Sequence, residues 1–125
     1  MNILVVDDNP NMRDIMARVL EREGHKVFKH NTALGVEGLM KAYGTSLLLT
    51  DHDLGPDSDT VLVLAERVKS QGYEVIIMSG NYVAEEEAKL LDIPFFLKAG
   101  SIKDLLMMIE EADDDRSKNQ LSARA

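Results

Sequence analysis

The chain has no cysteine among its 125 residues. Disulfides, thiolate metal sites and thiol nucleophiles are therefore excluded. The absence is compatible with a reducing compartment, and the cytoplasm is the expected location. A long hydrophobic run is missing too. The start, MNILVVDDN, holds four consecutive aliphatic residues, Ile3–Val6, before two acids. That is too short for a signal peptide or a membrane span. Basic residues are the minority: 14 Lys and Arg stand against 22 Asp and Glu, a formal net charge of −8. Direct nucleic-acid binding, which needs a basic face, is not expected. The balance suits a chain that meets basic or neutral protein surfaces, or binds a cation.

What is present suffices for one packed domain. Apolar residues make up 45% of the chain and charged residues 29%, which fits one core with a solvated exterior. No internal repeat, linker or second domain is visible. The central stretch is SLLLTDHDLGPDSD, Ser46–Asp59. A short apolar run that ends in turn residues reads as a buried strand, which places Asp51 at its end. Similar runs predict strands at Ile3–Val6, Glu74–Met78 and Phe95–Lys98, with a more polar one at His25–His30. Between them, apolar residues at helical spacing predict helices at Asn11–Glu23, Ala33–Ala42, Asp59–Gln71, Val83–Leu91 and Ser101–Glu111. Gly35 and Gly38 weaken the second, each costing about 1 kcal/mol relative to alanine. Glu85 to Glu87 read as a solvated helix face. Residues 113–125, DDDRSKNQLSARA, lack apolar periodicity and are expected to be a short disordered tail after a domain at 1–112. Strand and helix alternate five times, which calls for an α/β fold with a parallel sheet and helices on both faces.

In such a sheet the strand ends share one edge, and the polar residues fall there. Three runs end in Asp7-Asp8, Asp51 and Ser79, and a fourth ends in Lys98. Any one Asp at a strand end is more often a turn former or a cap; their recurrence on successive ends points to a site. Three carboxylates in one crevice repel unless a cation lies among them, and Mg²⁺ suits such hard oxygen ligands. The set fits phosphoryl transfer to a carboxylate. Asp51 would attack phosphorus, Asp7, Asp8 and Asp51 would hold the metal, Lys98 would supply a fixed positive charge, and Ser79 would hydrogen-bond a phosphoryl oxygen. Asp53 either faces the site with its carboxylate or only caps the turn. His52 is expected to point away from the Asp51 side chain by strand alternation, and His25 and His30 read as surface residues.

ILVVDDNP, LLLTD, VIIMSGN and FFLK, spread over roughly Met1–Ala112, resemble the receiver domain of two-component response regulators. The resemblance implies a flavodoxin-like, doubly wound five-stranded parallel sheet of order 2-1-3-4-5 with five helices. It implies that Asp51 is phosphorylated by a sensor histidine kinase or phosphotransfer protein, with Asp7 and Asp8 as the acidic pair of an Mg²⁺ site. The backbone carbonyl of Asp53 matches a third protein ligand, Ser79 the switch hydroxyl and Phe95 the switch aromatic. Such a domain catalyses its own phosphorylation and dephosphorylation rather than acting as a conventional enzyme. Its output would pass to a downstream protein through Val83–Leu91, Phe95–Lys98 and Ser101–Glu111, and a stand-alone receiver is expected. The family usually carries proline after the lysine, often through a cis bond. Here Ala99-Gly100 follows, and since a cis non-proline bond costs about 3 kcal/mol, a trans loop with a different aim for Lys98 is expected. Gly55 and Pro56 stand in swapped order, and Asp59-Thr60 replaces the common Asp/Asn-Gly. Two alternatives are a phosphatase of the haloacid dehalogenase type, for which Asp51-x-Asp53 is suggestive, and a receiver fold used only for interaction.

Overall fold

Ten elements alternate along the chain in the computed structural model, which describes residues 1–54 and 58–124. They are β1 (Asn2–Val6), α1 (Pro10–Arg22), β2 (Lys26–His30), α2 (Val36–Tyr43), β3 (Leu47–Asp51), α3 (Ser58–Ser70), β4 (Glu74–Ser79), α4 (Val83–Leu90), β5 (Phe95–Leu97) and α5 (Ile102–Arg124). The strands form one parallel sheet in the order β2-β1-β3-β4-β5, as the flavodoxin-like expectation required.

The aliphatic runs explain the layering. Successive strand residues face opposite sides, so a strand covered on both sides must be apolar throughout. Leu4, Val6, Leu48, Val75 and Ile77 pack against Val36 and Met40 of α2, Leu64, Ala65 and Val68 of α3, and Ala88 of α4. Ile3, Val5, Leu47, Leu49, Ile76 and Met78 turn the other way, onto Met16 and Leu20 of α1 and Leu105 and Ile109 of α5. All five residues of β3 are buried. That includes Asp51, which continues the α1/α5 side, while His52 continues the other.

Local signals set most boundaries. The Asn9 side chain accepts from the N–H groups of Asn11 and Met12, and Pro10 opens α1; both are helix-start devices. Ser101 caps α5 through its hydroxyl, which accepts from Lys103 N–H at 3.2 Å. Gly44 ends α2 with φ 65°, its N–H returning to the carbonyls of Lys41 and Met40, a conformation that glycine adopts without strain.

Three expectations are corrected. The second helix starts at Val36 rather than Ala33, because Gly35 is left-handed at its N-cap; Leu34, inside the expected range, is 81% exposed. The residues after Ala112, expected to be a disordered tail, are helical through Arg124. Leu105, Ile109 and Ala112 anchor α5 on the sheet, and Arg, Lys, Gln, Leu and Ala are good helix formers that extend an existing helix without a new nucleus. The strand expected over Phe95–Lys98 ends at Leu97, which leaves Lys98 on a turn. The Gly55-Pro56 order lies outside the described residues.

Candidate phosphoacceptor site at the carboxyl edge of the sheet

The site is built by register. Val6 pairs with Thr50 and Asp51 with Met78, so the residues just past β1, at the end of β3 and at the end of β4 lie side by side. Ser79 pairs with Leu97, and the backbone N–H of Lys98 donates to the carbonyl of Ser79 at 2.8 Å. Lys98 is thereby held beside the serine. Asp7, Asp8 and Asp51 each offer a carboxylate oxygen, all within 4.8 Å of one another. Asp7 is fully buried and Asp51 nearly so, whereas Asp8 is exposed.

Lys98 answers the buried charge. Its Nζ lies 2.9 Å from Asp7 Oδ2 and 3.1 Å from Asp51 Oδ2. Among the described residues no peptide bond is cis, so Lys98–Ala99 is trans. The lysine reaches both acids from this trans bond. The turn after it is tight. Gly100 N–H donates to the Leu97 carbonyl at 2.8 Å, and a Cβ on Gly100 would stand 2.9 Å from that same oxygen. A side chain there would push the turn that carries Lys98.

The remaining contacts fix the two buried acids. Asp7 Oδ1 accepts from Asn9 N–H at 3.0 Å, and its carbonyl accepts from Arg13 Nη1 at 3.0 Å. Asp51 Oδ1 accepts from Asp53 N–H at 3.2 Å. Asp7 Oδ2, buried, has no aligned hydrogen-bond donor; the lysine attracts it by charge and leaves lone-pair capacity open. Burial pushes the Asp51 carboxyl up to about 6, with Asp7 adding to the rise and the Asp53 N–H and Lys98 opposing it. Burial works against the Lys98 charge as well, but the Asp7 and Asp51 carboxylates beside it outweigh that and raise it above its ordinary value. Opposite charge thus offsets the burial cost for Lys98 but not for Asp51.

Ser79 is fully buried. Its Oγ donates to Asp53 Oδ2 at 3.4 Å and accepts from Asn81 N–H at 3.3 Å. Asp53 Oδ1 accepts from His52 Nδ1 at 3.1 Å. Phe95 is half-buried against the α2–α4 core, on the side of the sheet that carries Ile77. Asp7, Asp8, Asp51, Ser79 and Lys98, anticipated from strand ends, thus meet at one edge together with Asp53. His25 and His30 do not join them: His25 meets the N-terminal amine at 3.1 Å and His30 the Leu34 carbonyl at 2.8 Å. Asn9, Arg13 and Gly100 escaped sequence reading. Arg13 falls one turn into the helix after Asp7, a spacing that could have flagged it; nothing local marks Gly100.

The profile of the response regulator receiver domain family matches residues 3–110. The chain belongs to that family. Among solved structures, this receiver domain is 27% identical to a response regulator receiver domain protein (CheY-like) from Methanospirillum hungatei. That match has a TM-score of 0.81 and covers 94% of this chain and 97% of the other. It is 25% identical to NtrX from Brucella abortus, solved in complex with ADP, with a TM-score of 0.84 and 98% of this chain covered. It spans only 28% of that NtrX chain. TrrA from Thermotoga maritima, solved in complex with Mg²⁺ and beryllofluoride, shares the fold at 19% identity and a TM-score of 0.75, over 89% of this chain and 97% of the other. Family membership favours the signalling reading over the phosphatase and interaction-only alternatives. Among the described residues no helix is long and apolar enough to cross a membrane.

Proposed function

We propose that this receiver domain is a phosphorylation-dependent switch in which Asp51 accepts a phosphoryl group from a sensor histidine kinase or phosphotransfer protein in the cytoplasm. The observation that carries this reading is the buried Asp51 carboxylate, clustered with Asp7 and Asp8 and ion-paired to Lys98. An Asp51 oxygen attacks phosphorus, the bond from phosphorus to the donor's nitrogen or oxygen breaks, and an acyl phosphate forms on Asp51. The donor set fits Mg²⁺: hard carboxylate oxygens, one of them buried without an aligned donor. Asp7, Asp8, Asp51 and the carbonyl of Asp53 would hold the ion, which would supply charge neutralisation for the phosphoryl oxygens.

Lys98 adds a fixed cation, and Ser79 offers a hydroxyl to the new phosphoryl group. Phosphorylation then biases an equilibrium between two arrangements of β4, β5 and their helices. Ser79 moves toward the phosphoryl group, and Phe95 packs into the space it leaves. Val83, Leu90 and Met107, apolar yet more than half exposed, supply a face for a downstream protein.

Intact-mass measurement with acetyl phosphate and Mg²⁺ tests the assignment. Wild-type protein gains one phosphoryl group; Asp51→Asn, or wild type in EDTA, gains none. Labelling that persists in Asp51→Asn overturns it.

A further inference from the structure

Ser79 has one hydroxyl hydrogen, and in this structure that hydrogen is already committed. Oγ is 3.4 Å from Asp53 Oδ2, and the Asn81 N–H reaches Oγ at 3.3 Å. Asn81 can only donate there, so the hydroxyl points its hydrogen at Asp53. The Asp53 carboxylate is itself held. His52 Nδ1 lies 3.1 Å from Asp53 Oδ1; a carboxylate only accepts, so Nδ1 carries the hydrogen. The residue is held in turn: His52 is 8% exposed, and its backbone N–H donates to the Met78 carbonyl at 2.7 Å. A string His52–Asp53–Ser79 therefore runs along the top of β3 and β4.

We propose that Asp53 is a latch on Ser79: before phosphorylation its carboxylate takes the only hydroxyl hydrogen of Ser79, and a phosphoryl group on Asp51 gains that hydrogen by displacing Asp53. The length of the Ser79–Asp53 contact suits this task. A bond of 3.4 Å is at the weak end of its class, and it yields to the shorter, charge-assisted bond that a phosphoryl oxygen offers. Asp53 is a positioning residue in this scheme. Its side chain is 56% exposed, so it has open water to turn into when it lets go. The proposal rests on Asp51 as the phosphoacceptor, and the test separates the two.

Removing Asp53 also removes a negative charge near an incoming anion, which by itself favours phosphoryl binding. A double-mutant cycle divides the effects. Wild type, Asp53→Ala, Ser79→Ala and the double variant are titrated with beryllofluoride at saturating Mg²⁺, and each is titrated with Mg²⁺ alone. Asp53→Ala keeps the backbone carbonyl and frees the serine. Its gain in beryllofluoride affinity is expected to be about fivefold larger with Ser79 present than in the Ser79→Ala background, the worth of one released hydrogen bond. The Mg²⁺-only affinities show no such dependence on Ser79. Equal gains in both backgrounds mean that charge alone acts, and they overturn the latch while leaving Asp51 in its role. No adduct in wild type overturns the phosphoacceptor reading and the latch with it.

Discussion

Asp51 is a carboxylate kept where its charge is expensive. Its pKa is pushed up to about 6 by burial first, against an ordinary value of 3.8. The folded state therefore binds the proton more tightly than the unfolded chain does. Stability from this group is present below the unfolded value and is lost as pH rises from about 4 through about 6. The loss is about 2 kcal/mol once screening by water at the open rim is allowed for. Asp51→Asn, unable to ionise, escapes it. In EDTA, urea unfolding should show the variant more stable than wild type at pH 7, with the gap closing toward pH 4. A variant that is less stable at both pH values would mean that Lys98 needs Asp51 more than burial penalises it. The acids, the serine and the lysine were legible because each ends an apolar run, and a parallel sheet aligns such ends. The Asp53–Ser79 contact was not, since it depends on which way two side chains turn 26 residues apart. Gly100 was not either: its need is the Leu97 carbonyl behind it, a fact of the turn's shape alone.

Element boundaries followed their local chemistry where caps and glycines were present, and departed from it where tertiary packing took over. The start of α2 depended on the left-handed Gly35, which spacing of apolar residues does not reveal. The end of α4 is closed by a residue that fits it poorly. Asp92 has φ 55°, a left-handed conformation that costs a side chain and favours glycine. Its ion pair to Lys69 is long, at 3.7 Å, with the Asp92 side chain fully in solvent, and such pairs contribute little. The backbone carbonyls of Leu91 and Asp92 still accept from Lys69 Nζ, and these contacts survive substitution. Asp92→Gly is expected to raise stability by about 0.5–1 kcal/mol, read as a higher urea midpoint with an unchanged slope. A lower midpoint would show that the Lys69 pair outweighs the strain. The polar β2 illustrates the other side: its edge position was readable from composition, because an edge strand tolerates charge that a central one cannot.

At the scale of the molecule, the two-faced core follows from the apolar strands and their alternation with helices and was readable before any coordinates, whereas the sheet order was expected through the resemblance to receiver domains. The length of α5 was not. Its continuation carries few apolar residues, so a periodicity test stops at Ala112, whereas an established helix needs only good propensity to grow. A truncation after Ala112 is expected to keep phosphorylation of Asp51, since every site residue precedes it, and to lose helical signal in far-UV circular dichroism. Unchanged helicity would show that the extension does not form in solution. The extension has a mechanical consequence. α5 begins at Ile102, four residues after Lys98, and its 23 residues at the usual rise give a rod about 35 Å long. A tilt of about 5° at the end nearest the lysine would carry the far end through about 3 Å. The helix thus has the proportions of a lever whose near end lies beside the phosphoacceptor edge.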